Sequence, residues 1–199
     1  MKIYDISQEL LGSAVYPGDP QPTVTKLCSM ADGDLYNLSH FCACAHNGTH
    51  IDAPSHFIAD GKTVGEIPLE NTVGTAYVAV AEGILGKQEM EAILHRAKEH
   101  SPEAAKRILI KGDAVVTAEA AKVLCDRNVL LIGTESQSVG PIDAPMEVHK
   151  ILLTREITLL EGLRLDNVAE GAYFLSSAPI NIGIAEGSPC RAILVDFTK

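Results

Sequence analysis

With 199 residues, 46% of them hydrophobic and 21% charged, the chain is long enough to bury its own core and too apolar for global disorder. Its 26 acidic against 16 basic residues give a net charge of −10, a sign that repels nucleic-acid phosphates and anionic membranes. The opening MKIYDISQEL has no basic region ahead of an apolar run, and no later stretch offers about 18 uninterrupted apolar residues, so a cytoplasmic protein serving a small molecule is expected.

The first third predicts short strands over KIYDIS, TVTKLCS and LYNLSHFCACA, separated by the turn signals YPGDP and ADGD. Cys42 and Cys44, two apart in the third run, are expected to share a strand face as small buried residues. The five cysteines are odd in number and lack C-x-x-C spacing, which argues against a disulfide framework and a zinc ribbon.

Beyond residue 75 strands alternate with helices. AYVAVAE precedes a helix over 88–98, and RILIKG precedes the helix of TAEAAKVLCDR with Thr117 as N-cap. NVLLIGT precedes a helix near MEVHKILL, and GAYFLSSAPINI and CRAILVDF close the chain as apolar β-type runs. The expectation is a mixed α/β fold, one domain over 1–199 with a β-rich N-terminal part and a sheet that is not fully parallel.

The chemistry concentrates in HNGTHIDAPSHF, where His46, His50, Asp52 and His56 fall within eleven residues. Imidazole and carboxylate together suit a hydrolytic metal. A helix through Asn47, Gly48 and Pro54 is disfavoured, whereas a turn followed by a short strand is not. In a strand His50 and Asp52 point to one side, and the Asn47-Gly48 turn folds His46 back beside them. Pro54 ends the strand and leaves His56 just beyond the three ligands, within reach for proton handling.

The pattern H-x-G-T-H-x-D-x-P-x-H, met in full by His46, Gly48, Thr49, His50, Asp52, Pro54 and His56, resembles the signature of the cyclase family that includes bacterial kynurenine formamidases and isatin hydrolases. The likeness extends to DISQEL, YPGDP, DGKTVGEIPLENTVGTAYV, HKILLTREITLLEGL and the closing GSPCRAILVD. It implies a swivelling β/β/α-type domain and a centre of two divalent ions, zinc or in some members manganese. In it His46, His50 and Asp52 are ligands, Asp52 reaches both ions, and His56 is the proton donor and acceptor. It further implies that His149 and Glu161, twelve residues apart, complete the centre with Glu161 bridging. On their own pattern these two are an ordinary helical histidine and an ordinary glutamate after an apolar run.

Tyr16 stands where kynurenine formamidases often carry a substrate-contacting tryptophan. Glu135, Gln137 and Gly140 stand in a segment where those enzymes carry aspartates. Both departures bear on the substrate more than on the chemistry. The resemblance also implies a homodimer or homotetramer. The expected reaction is attack of a metal-generated hydroxide on the carbonyl of a small aryl-formamide or cyclic amide, with His56 passing the proton to the leaving amine. Two alternatives remain: a lactone or cyclic-ester hydrolase or cyclase of the same family, and a non-catalytic module holding a metal or a small carboxylate.

Overall fold

The computed structural model describes residues 1–198. In chain order the elements are β1 (Lys2–Asp5), β2 (Thr23–Cys28), β3 (Leu38–Cys42), β4 (His50–Asp52), α1 (Leu69–Thr72), β5 (Val73–Val80), β6 (Gly83–Leu85) and α2 (Lys87–His100). They continue with β7 (Arg107–Lys111), β8 (Ala114–Val116), α3 (Ala118–Asp126), β9 (Leu131–Thr134), α4 (Met146–Thr154), β10 (Thr158–Glu161), β11 (Gly171–Ser176), β12 (Gly187–Pro189) and β13 (Ile193–Asp196).

Nine strands form one sheet in the order β1-β13-β11-β5-β7-β9-β10-β4-β12. Its centre, β5-β7-β9-β10, is parallel because each step between these strands passes through a helix. The flanking pairs are antiparallel. β2 and β3 form a separate hairpin, and β6 pairs with β8 in a small parallel ribbon.

Alternate residues of the central strands feed two cores, which is why RILIK reads as almost continuously apolar. Tyr77, Ile108, Ile110, Ile132 and Leu159 meet the buried faces of α2, α3 and α4, including Met90, Leu124 and Leu152. Val78, Leu109, Leu131 and Leu160 meet Tyr4, Leu175 and Leu194 on the opposite side, together with Ile51 from β4. Strands near both ends of the sheet thus share one core, so the sheet curls. Thr117 caps α3 by accepting the Ala120 N–H at 3.3 Å.

Arg107 fixes the start of β7. It is buried, and its guanidinium donates to the carbonyls of Asn71 and Thr75, each at 3.2 Å, and of Glu70. Gly74 (φ +146°) lies against it, because a Cβ there would come within 2.8 Å of the guanidinium. Arg107→Met is expected to leave those carbonyls without their donor and to lower stability by about 2–4 kcal/mol. A urea midpoint equal to wild type would contradict that role.

The structure departs from the sequence expectations at the cysteine pair. β3 ends at Cys42, so Cys44 shares no strand face with it, and Cys42 is exposed while Cys44 is half-buried. The anticipated buried pair is therefore absent. The cause is the turn that begins at Cys44, whose N–H donates to Asn47 Oδ1 at 2.7 Å. The apolar run ITLL, to which no element was assigned from sequence, becomes strand β10: Glu156, in the left-handed region at φ 57°, ends α4 and lets the chain re-enter the sheet. GSP, likewise unassigned from sequence, forms β12 at the sheet edge, where the N–H that Pro189 lacks is not needed.

Candidate metal centre

β4 is three residues long, and its surroundings hold it tightly. Gly48, at φ 67°, takes a conformation that other residues adopt rarely. Its carbonyl lies 2.4 Å from where a Cβ on Gly162 would sit, so the motif glycine and Gly162 form a close backbone approach. The Thr49 hydroxyl donates to the Gly162 carbonyl at 2.7 Å and accepts the Gln8 N–H at 2.9 Å. Thus the glycine and threonine of the motif dock β4 rather than face a ligand.

Pairing then sets the chemistry. His50 and Asp52, two apart, share a face of β4, and in the antiparallel β4–β10 register Glu161 stands directly opposite His50. α4 brings His149 onto the same spot. His50 Nε2 lies 3.4 Å from Asp52 Oδ1 and 3.5 Å from Glu161 Oε2. His149 Nε2 lies 3.2 Å from Glu161 Oε1 and 3.6 Å from Asp52 Oδ2. His46 returns through the turn, with Nδ1 2.8 Å from Asp52 Oδ1. The structure thus brings together the three residues nominated by the local pattern and the two, His149 and Glu161, nominated by the family resemblance.

Three imidazoles and two carboxylates are packed together largely out of reach of solvent. His50, Asp52, His149 and Glu161 are each no more than 3% exposed. Burial alone would push the imidazoles toward neutrality, but the neighbouring carboxylates outweigh it and raise His50 and His149 to about 10. His46 is also raised, burial opposing and Asp52 prevailing. Burial works to raise Asp52, yet the surrounding imidazoles hold it well below the usual carboxylate range. His56, lacking such a partner, is lowered by burial.

The residues fit a divalent cation. Two groups, His46-His50-Asp52 and Asp52-His149-Glu161, each have donor atoms within 4.8 Å of one another and share Asp52. Ligands about 2.1 Å from a tetrahedral ion stand roughly 3.4 Å apart, close to most of the spacings above. Asp52 Oδ2 is buried without a hydrogen bond among the described residues, an arrangement that favours a cation as partner. His50 Nδ1 donates to the Gly48 carbonyl at 3.1 Å and His149 Nδ1 to the Pro145 carbonyl at 2.9 Å, which turns both Nε2 atoms inward.

An entering cation must displace the protons that His50 and His149 hold up to about pH 10. Binding at pH 8 is therefore expected to release protons, and apparent affinity to rise with pH up to about 10. Calorimetric heats independent of the buffer's ionisation enthalpy would contradict this.

A cavity of about 230 Å³ opens over the group, with Tyr16, His56, Phe57, Gln137 and Ser138 in its walls. Ala53 is extended (ψ 159°), and the one-turn 3-10 helix Pro54–His56 that follows sets the His56 ring 4.1 Å from that of His46, centre to centre. Tyr16 lies at the wall with its hydroxyl donating to the Ile142 carbonyl at 2.7 Å. Of the departures at 135–140, only Gln137 borders the cavity. Glu135 instead accepts the Gly112 and Leu165 N–H groups, at 2.8 and 2.7 Å, and Gly140 packs on Val148. Phe57, Ser138 and Asp19 also line the cavity without having been singled out from sequence. Asp19 lies in a turn motif and Phe57 follows the histidine pattern; neither carries a chemical signal of its own.

Comparison with known proteins places the chain in a family. The family model described as Putative cyclase matches residues 4–141. The chain belongs to that family. A relative of this cyclase-family chain, the kynurenine formamidase of Erythrobacter litoralis, is 33% identical over 207 residues, covering 97% of this chain and 93% of its own. A predicted metal-dependent hydrolase from Bacillus stearothermophilus superposes with a TM-score of 0.79 at 26% identity, covering 97% of each chain. Isatin hydrolase A from Labrenzia aggregata shares the fold, with a TM-score of 0.80 at 22% identity, 97% of this chain and 93% of that one. The mixed α/β fold of the cyclase family is thus the fold of this chain. No helix among the described residues is long and apolar enough to cross a membrane.

Proposed function

We propose that this cyclase-family protein is a metal-dependent amidohydrolase that cleaves the amide bond of a small aryl-formamide or cyclic amide. The observation that carries this reading is the convergence of His46, His50, Asp52, His149 and Glu161 beneath a cavity that also contains His56. Those five residues would hold two divalent ions, zinc or manganese, with Asp52 common to both groups and Glu161 near both His50 and His149. Bound there, the ions would lower the pKa of a water and polarise a carbonyl.

The chain's own residues supply the rest. His56 has no carboxylate hydrogen bond among the described residues, and burial keeps its ring neutral near pH 7. It takes a proton at a ring nitrogen and returns it to the leaving amine. Such a proton shuttle has no use in a module that only holds a metal. A cavity of roughly 150 Å³ admits benzene, so the space here suits a single aromatic ring with its carbonyl, and the Tyr16 ring at the wall offers a stacking face.

We further read the chain as a single cytoplasmic domain that assembles as a homodimer or homotetramer. The β2–β3 hairpin supports assembly, since Val24, Leu27, Leu35, Tyr36 and Phe41 are all more than half exposed on it.

A panel of N-formylkynurenine, isatin and simple lactones, assayed with added zinc or manganese, tests the reaction. Turnover is expected on at least one of the two amides. Turnover confined to lactones would move the substrate to cyclic esters, and tight metal binding without any turnover would favour the non-catalytic module.

A further inference from the structure

His46 differs from the other two imidazoles of the centre. His50 and His149 turn Nε2 toward the carboxylates and satisfy Nδ1 on a backbone carbonyl. His46 is reversed: Nδ1 faces Asp52, and Nε2 points outward, buried and without a hydrogen bond among the described residues. A neutral imidazole carries one N–H. If Nδ1 gives its lone pair to an ion, that hydrogen sits on Nε2 and needs an acceptor.

One acceptor is at hand. Glu186 Oε1 lies 3.4 Å from His46 Nε2. The main chain beneath it is fixed, because the Glu186 carbonyl accepts the Ala53 N–H at 2.8 Å and the next residue, Gly187, pairs with Asp52 in the β4–β12 ladder. The ring is fixed as well. A Cβ on Gly187 would fall 2.5 Å from His46 Cε1, so the glycine leaves the space the ring occupies, and the rings of His56 and His50 stand at 4.1 and 5.1 Å. The Glu186 side chain is 47% exposed, free enough to close the last half-ångström or so to a normal hydrogen bond.

We propose that Glu186 is the outer partner of His46, its carboxylate accepting the Nε2–H so that Nδ1 stays directed at the metal site. It is a positioning residue that acts through His46. This rests on the metal-centre reading above, and the experiment separates the two.

Zinc affinity is measured by competition with a chromophoric chelator for wild type, Glu186→Ala, Glu186→Gln, His46→Ala and the double variant His46→Ala/Glu186→Ala. Loss of such outer partners typically weakens metal binding about 10- to 100-fold, and that is the effect expected of Glu186→Ala. Glu186→Gln keeps an acceptor oxygen and should stay within roughly fivefold of wild type. In the His46→Ala background the Glu186→Ala change should add nothing. Nitrogen-15 spectra of the zinc-loaded protein should show His46 protonated at Nε2.

Wild-type affinity in Glu186→Ala would overturn the proposal. So would an equal loss in Glu186→Gln and Glu186→Ala, which would make the carboxylate a direct ligand, or a Glu186→Ala effect that persists without His46. Absence of zinc binding in wild type, or undiminished binding in His46→Ala, would instead refute the metal-centre reading itself.

Discussion

Asp52→Asn protein is expected to emerge with neither divalent ion bound and with no detectable turnover. Asp52 is the residue common to both candidate groups, with Oδ1 facing His46 and His50 and Oδ2 facing His149. Asparagine keeps the volume but removes the charge and presents an amide that binds a cation poorly. Since outer partners alone are worth about 10- to 100-fold in affinity, loss of a shared ligand should exceed 100-fold. Metal content by plasma emission, alongside a thermal melt showing that the variant folds, checks the result. Retention of both ions by folded Asp52→Asn would overturn the ligand assignment.

His56→Ala should behave in the opposite way. Its ring shares the cavity with the ligand group but forms no hydrogen bond to either carboxylate among the described residues, so metal content should equal wild type. Removal of a positioned acid and base commonly costs about 10²- to 10⁴-fold in rate, and kcat is expected to fall by that much with KM little changed. A folded, metal-replete His56→Ala enzyme with full turnover would remove His56 from the reaction.

The two halves of the centre were unequally legible. His50 and Asp52 could be placed together because a strand repeats every two residues, a purely local rule, and Asn47-Gly48 is a local turn signal. His149 and Glu161 could not be reached that way. Their approach depends on β10 pairing with β4 across most of the chain, and β10 is four residues drawn from an apolar run of ambiguous type. Only the family resemblance nominated them. Glu186 escaped notice for the same reason: it becomes relevant only once the edge strand GSP pairs beside Asp52.

Alternation in the β-rich front was misleading in another way. TVTKLC and LSHFC form the expected strands and pair as a hairpin, but they lie outside the main sheet, and nearly every residue of both strands is exposed. Period-two patterning says which residues share a side; it does not say that the side is covered within one chain.

The helices and the Thr117 cap were the most readable part, because that cap and the 3.6-residue spacing of Met90, Ile93, Leu94 and Ala97 act locally.

Because the fold brings His46, His50 and Asp52 against His149 and Glu161, any cation held there clasps distant parts of the polypeptide like a rivet. An unfolded chain offers no such grip, so free metal should favour the native state in proportion to the logarithm of its concentration. Cellular metal supply would then govern how long the protein survives as well as whether it works.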